Sequence, residues 1–371
     1  MATDAIGLYL HIPFCVRKCN YCDFCSFNLS TVDWREEYIN RLCEEIASYK
    51  DREIKVNSIF FGGGTPSLLT PLEFERICSI IKDSFHIMPE CEFTVEANPK
   101  TLNGEKLASF VRCGVNRLSI GLQSIHENEM KILGRIHSYD DFVDIYHLAR
   151  EHGIDNINVD LMYGIPEQTM DSFGQTVDAV LQLKPEHISL YGLILEEGTP
   201  FYERRDSLPL PSEDHECDMY YLAADKLRKA GYSHYEISNY ALDDRQCQHN
   251  LKYWRCEEYI GLGLAAYSYF EGRRFGNSDD PSVYLSKDCV DYVIDEDEAD
   301  ESFEYVMLRL RLAEGFSLSN YKARFGEDFL ASRRELIDSY LKAGYISLSD
   351  DRIALTERGF YVSNSILIEL I

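Results

Sequence analysis

The sequence predicts an α/β fold: a partial (β/α)6 TIM-like barrel, followed by a mixed C-terminal extension and a small winged-helix-like module. Three observations predict it. Six short runs rich in β-branched, aromatic and apolar residues recur through the first half of the chain, stretches of helical periodicity separate them, and chemically distinctive residues follow the runs. A parallel crossover needs a dozen or more residues, so strands alternating with helices imply βαβ units on a parallel sheet.

The strands are read at 8–12 (LYLHI), 58–62 (SIFFG), 93–97 (FTVEA), 117–121 (RLSIG), 157–161 (INVDL) and 187–191 (HISLY). Helices are expected over 33–50, 71–85, 103–113, 126–152 and 170–183, several opened by a capping Thr, Asp or Ser. Past residue 205 the rhythm changes, with a helix near 213–230 and then HYEISNYA, QHNLKYW and YIGLGLAAYSYF. The charge run DEDEADE (295–301) reads as a solvated linker. Beyond it, helices near 302–312, 317–325 and 328–343 precede the hairpin-like YISLSDDRIALT. The expected units are therefore a barrel over 1–205, an extension over 206–294 and a module over 295–371.

The chain of 371 residues has no basic and apolar leader and no apolar stretch long enough to span a bilayer, which predicts a cytoplasmic protein without a transmembrane segment. In that reducing compartment clustered cysteines are metal-binding or catalytic rather than disulfides. A net charge of −26 opposes docking on nucleic-acid phosphates.

Chemistry in such barrels sits at the C-terminal ends of the strands. The first strand leads into HIPFCVRKCNYCDFCSF, with Cys15, Cys19, Cys22 and Cys25. The second leads into GGGTP, and the others end at Glu96, Gln123, Asp160, and Tyr191 with Gly192. Zinc sites usually draw four ligands from two separated pairs, and no second pair of that kind follows. Three thiolates in one loop suit a [4Fe–4S] cluster with one iron open to an outside ligand.

The polar ring outlines that ligand. Backbone N–H groups of Gly62, Gly63 and Gly64 can approach a small zwitterion closely. Arg135 can fork onto a carboxylate and Glu96 can accept from an ammonium, while Gln123 and Asp160 suit ribose hydroxyls. An amino acid joined to a nucleoside and able to chelate iron is S-adenosylmethionine (SAM).

With these residues in hand, the chain resembles the radical SAM superfamily, and within it the heme-biosynthesis branch that holds oxygen-independent coproporphyrinogen III oxidase and a heme chaperone. The likeness runs through LYLHIPFC, FFGGGTPSLL, VEANP, GVNRLSIGLQS, NVDLMYGIP, EISNYA, HNLKYW and YIGLGLAAYS. It implies that Cys15, Cys19 and Cys22 ligate the cluster, with Tyr21 near the adenine. It further implies that Gly63, Gly64 and Thr65 hold the methionine amino end, and that Glu96, Gln123, Arg135 and Asp160 hold the other polar groups of SAM, beside Tyr191 and Gly192.

The branch holds an enzyme and a carrier. The oxidase pattern carries a fourth cysteine two residues after the third and a long N-terminal arm over its substrate; here Phe24 stands at that position, the thiol is shifted to Cys25, and about seven residues precede the first strand. The segment CQHNLKYW matches an HNxxYW signature associated with heme. His249 and Cys247 are alternative axial ligands, Tyr253 and Trp254 are expected to pack on the macrocycle, and His249 is expected to lie outside the six-strand ring. The expected partners are heme and recipient apo-hemoproteins such as cytochromes, with a homodimer and SAM cleavage left open. The alternative is oxidative decarboxylation of coproporphyrinogen III.

Overall fold

The computed structural model describes residues 5–286, 290–294 and 301–370; the linker expected at 295–301 lies almost wholly outside them. The barrel strands are β1 (Ala5–Ile12), β2 (Lys55–Gly63), β3 (His86–Ala97), β4 (Arg117–Gln123), β5 (Asn156–Tyr163) and β6 (His187–Gly192). They pair in parallel in that order.

Helices α1 (Arg35–Ala47), α2 (Pro71–Ser84) and α3 (Gly104–Cys113) fill the first crossovers. Local chemistry sets their ends. Thr70 and Glu73 form a reciprocal capping box ahead of Pro71, and Asn103 caps α3, which stops at Gly114 in the left-handed conformation. The single helix predicted over 126–152 is in fact two, α4 (Glu127–Leu133) and α5 (Tyr139–Glu151). Gly134, at φ +79°, ends the first, and the Ser138–Asp141 capping box starts the second. The break carries Arg135 out of a helix and toward the strand ends. Helix α6 (Met170–Leu183) completes the crossovers.

The strands bury both faces, but the two faces differ in chemistry. On β4, Leu118, Ile120 and Leu122 are fully buried in the apolar core, while Arg117, Ser119 and Gln123 alternate with them and are also buried. The same period of two puts Asn158 and Asp160 opposite Ile157, Val159 and Leu161 on β5. One face packs on the helices. The other lines the barrel with polar groups.

The extension joins the same sheet at both edges. After α7 (Glu213–Lys229), β7 (Ser233–Glu236) and β8 (Asn239–Ala241) run antiparallel beyond β6. Helix α8 (Gln248–Arg255) then crosses beneath the barrel, and β9 (Tyr259–Leu262) pairs in parallel with β1, Gly7 facing Tyr259. Strands β10 (Tyr267–Phe270), β11 (Arg273–Asn277) and β12 (Val290–Ile294) extend that edge to give a 12-stranded sheet. A separate core holds α9 (Glu301–Arg309), α10 (Leu318–Phe325), α11 (Arg334–Ala343) and α12 (Ser363–Leu370) around a three-stranded sheet. Among the described residues no helix is long and apolar enough to cross a membrane.

Candidate functional site

The loop after β1 is anchored at the barrel mouth. Asn20 donates from its backbone to the Leu133 carbonyl (3.0 Å) and from its side chain to that of Ile132 (2.8 Å), which ties the loop to the end of α4. Cys15, Cys19 and Cys22 are free thiols. Thr65 donates to Cys15 Sγ at 3.6 Å and Arg135 Nη1 to Cys19 Sγ at 3.7 Å. Burial raises the Cys15 thiol and pushes Cys22 up to about 11. Cys25 turns elsewhere: its sulfur donates to the Asp279 carbonyl at 3.7 Å, and its own carbonyl pairs with His11 Nε2 at 2.7 Å.

Among the described residues no three His, Cys, Asp or Glu side chains converge on a lone ion. The three thiols come from one loop, and in a cluster each thiolate takes a different iron. The surroundings also suit SAM. At Gly63, φ is +104° and a Cβ would lie 2.5 Å from the His11 ring, so only glycine brings the backbone this close. Gln123 stands in the left-handed region at φ +73°, its side-chain oxygen buried without a partner. Arg135 donates from Nη2 to the Gly121 carbonyl while its Nε–H is buried and unpartnered. Buried polar atoms without partners are rare in native proteins and call for a missing one.

Glu96 accepts from the Gly63 N–H, and burial, reinforced by Asp160, pushes its carboxyl up to about 8. Asp160 accepts from Asn158 Nδ2 at 2.7 Å, and burial raises it. Tyr21 packs beside Leu133 and Ile165, with Arg135 and Cys19 in electrostatic reach. A chamber of about 210 Å³ inside the barrel is lined by Gly63, Glu96 and Tyr191. Gly192 packs on the Tyr163 ring instead, and Thr65 and Arg135 line a smaller cleft beside Cys19.

The floor of the chamber was not anticipated. Arg117, Asn158, His187 and Ser189 line it from the starts of their strands. The polar–apolar alternation in RLSIGLQ, NINVDLMY and HISLYG was the signal for them. His249 is a correction: it lies inside the ring rather than outside it. Its Nδ1 pairs with Ser58 Oγ on β2 (3.0 Å), its Nε2 with Tyr253 OH (2.8 Å), and its ring stacks on Phe60. Glu92 on β3 accepts from the backbone N–H groups of Gln248 and His249, both at 3.1 Å, and from Cys247 Sγ at 3.6 Å, capping α8 across the barrel. Burial depresses His249 to about 3 and pushes Cys247 up to about 12. Both ring nitrogens of His249 are engaged, so neither presents a free lone pair to an iron. Trp254 lines a separate cleft, and Tyr253 lines both that cleft and the chamber.

The radical SAM superfamily model matches residues 9–180, and the HemN C-terminal domain model matches 297–362. Curated heme chaperones HemW from Lactococcus lactis and Escherichia coli are 36% and 35% identical, over 96% and 98% of this chain and 95% and 97% of their own lengths. The chain belongs to the HemW family of radical SAM proteins. The HemW protein of Bacillus subtilis is 34% identical over 96% of this chain and 97% of its own. The fold is that of coproporphyrinogen III oxidase HemN from Escherichia coli, with a TM-score of 0.85 at 22% identity, covering 99% of this chain and 90% of that one. Membership of the radical SAM family implies SAM and a [4Fe–4S] cluster.

Proposed function

We propose that this chain is a heme chaperone that holds a [4Fe–4S] cluster on Cys15, Cys19 and Cys22, binds SAM beside it, and passes heme to apo-hemoproteins such as cytochromes. The observation that carries the reading is full-length similarity at 34–36% identity to curated heme chaperones, against 22% to the oxidase. Two features of the loop agree with it. Phe24 stands where the oxidase pattern has its fourth cysteine, and the displaced Cys25 thiol faces Asp279 rather than the other three.

When bound, the cluster supplies single-electron chemistry to the SAM sulfonium. The chain's own residues bind and orient. Arg135 would take the methionine carboxylate with its free Nε–H, Glu96 in its ionised form would accept from the ammonium, Tyr21 would lie near the adenine, and Gln123 and Asp160 would take ribose hydroxyls. Gly63, Gly64 and Thr65 would offer backbone surface to the amino end, and Tyr191 would line the chamber beside it, with Gly192 behind it on the Tyr163 ring.

Anaerobic reconstitution followed by two assays on one sample tests the reading. Heme should bind, seen by absorbance, and leave to an apo-hemoprotein, with no conversion of coproporphyrinogen III. Efficient oxidative decarboxylation would replace the chaperone by the oxidase.

A further inference from the structure

Thiols gather at a second place besides the loop at the barrel mouth. Cys78 of α2, Cys91 of β3 and Cys113 at the end of α3 line a cavity of about 270 Å³, beside Lys82 and Asn116. The packing of α2 against α3 brings two of them together. The Phe74 and Phe110 rings meet at 4.5 Å, and Glu75 accepts from Ser109 Oγ at 2.9 Å and from Arg112 Nη2 at 2.5 Å. One turn further along both helices the same seam carries Cys78 and Cys113, and the Cys78 thiol donates to the Cys113 sulfur.

We propose that Cys113 and Cys78 are a peroxide-reactive dithiol, Cys113 being the sulfur that hydrogen peroxide oxidises and Cys78 the thiol that resolves it to a disulfide. This chemistry involves neither SAM nor heme. Cys113 is the nucleophile because the hydrogen bond from Cys78, with Lys82 and Arg112 nearby, holds its thiol below the usual range against burial and Glu75. Burial and the hydrogen bond it donates raise Cys78, which keeps its proton in the reduced pair. Cys91 stands aside. Its thiol donates to the Glu92 carbonyl at 3.6 Å, and burial pushes it up to about 12. Both sulfurs of the pair are hidden from the outer surface, Cys78 at 2% and Cys113 at 7% exposure, so the cavity is what admits a molecule as small as peroxide.

The steps balance without a further reagent. The Cys113 thiolate attacks one peroxide oxygen, the O–O bond breaks, and the departing hydroxide takes up a proton to leave as water. Cys113 is then a sulfenic acid. The Cys78 sulfur attacks it, passing its proton to the departing hydroxyl, so the S–O bond breaks, the S–S bond forms and a second water leaves. The two thiols lose two electrons and the peroxide gains them. The resulting disulfide ties α2 to α3 on either side of β3 in the chain, and a dithiol reductant restores the pair.

The test is peptide mapping by mass spectrometry of the reconstituted full-length protein after excess hydrogen peroxide and alkylation of the remaining thiols. A Cys78–Cys113 disulfide should form in the wild type and disappear with dithiothreitol. In Cys78→Ser, Cys113 should persist as the sulfenic acid and be captured by dimedone at least about tenfold above Cys43, a buried thiol of α1 that burial raises. In Cys113→Ser, Cys78 should stay reduced. Cluster iron before peroxide and circular dichroism should match wild type in both variants. Reduced Cys78 and Cys113 in peroxide-treated wild type, or capture at Cys113 no greater than at Cys43, would overturn the dithiol. A disulfide between Cys91 and Cys113 would overturn Cys78 as the resolving thiol.

Discussion

The mouth and the floor of the barrel are built from the same strands and buried to similar depth, yet their hydrogen bonding is opposite. At the mouth, the Gln123 oxygen and the Arg135 Nε–H lack partners, and two residues, Gly63 and Gln123, hold left-handed backbone angles. On the floor, both nitrogens of His249 and both of His187 are engaged, and Glu92 accepts from three donors. A polar group left unpaired costs its desolvation, so a fold keeps one where a ligand supplies the partner. A satisfied network supports instead. Arg117 stands between the two cases: it is buried at the floor, with its Nε–H unpartnered.

The largest expected effect breaks the mouth. Ala at Cys15, Cys19 or Cys22 should each abolish the brown cluster absorbance and its iron, whereas Cys25→Ala should retain both. Loss of iron in Cys25→Ala equal to the other three would make the loop a four-ligand site.

Breaking the floor should instead cost stability. His249→Ala strands Ser58 and Tyr253 and leaves a void beside Phe60, so denaturant unfolding should show a loss of about 3 kcal/mol. Reconstituted iron per chain should stay at the wild-type value. A variant as stable as wild type would mean that α8 closes nothing.

The smallest effect sharpens the contrast through pH. The Glu96 carboxyl stands at about 8 in the fold against 4.5 for an ordinary Glu, so the native chain keeps a proton there that the unfolded chain has lost. Stability of the ligand-free protein therefore falls as pH rises between those values, relative to Glu96→Gln, and levels off above the upper one. An ammonium needs the ionised form, so wild-type SAM affinity should rise by at least about tenfold relative to Glu96→Gln as pH goes from 6 to 8, the ligand's own amine titrating equally in both. Parallel calorimetric profiles for the two proteins would detach Glu96 from the ligand.

The six barrel strands and most of the barrel helices were legible because local chemistry writes them, as Thr70-Pro71 with Glu73 does for α2, whereas the Gly134 stop and the Ser138 cap that divide 126–152 went unread. Among site residues, those that follow strand ends were named from the sequence, since topology alone brings strand ends together; the ligand roles assigned to them are the subject of the experiments above. Arg117, Asn158 and His187 were not named, because a polar residue inside a buried strand declares itself only once the two faces are told apart. His249 was placed on the wrong side of the strand ring. Nothing local to HNLKYW says that α8 passes beneath the barrel; Glu92, more than 150 residues earlier, says so by capping it.

The parallel pairing of β9 with β1 sets a schedule for the ribosome. Gly7 meets Tyr259, so about 250 residues separate the first strand from its outer neighbour, and at roughly 5–20 residues per second the nascent chain carries an open strand edge for on the order of 10–50 s. Unpaired edges template association between chains. The cysteine loop follows β1 directly and emerges at the start of that interval, whereas α8, which closes the barrel from below, emerges only at its end. Slow synthesis thus exposes the thiols and the sheet edge together, so aggregation and oxidation of the newborn protein should rise and fall as one.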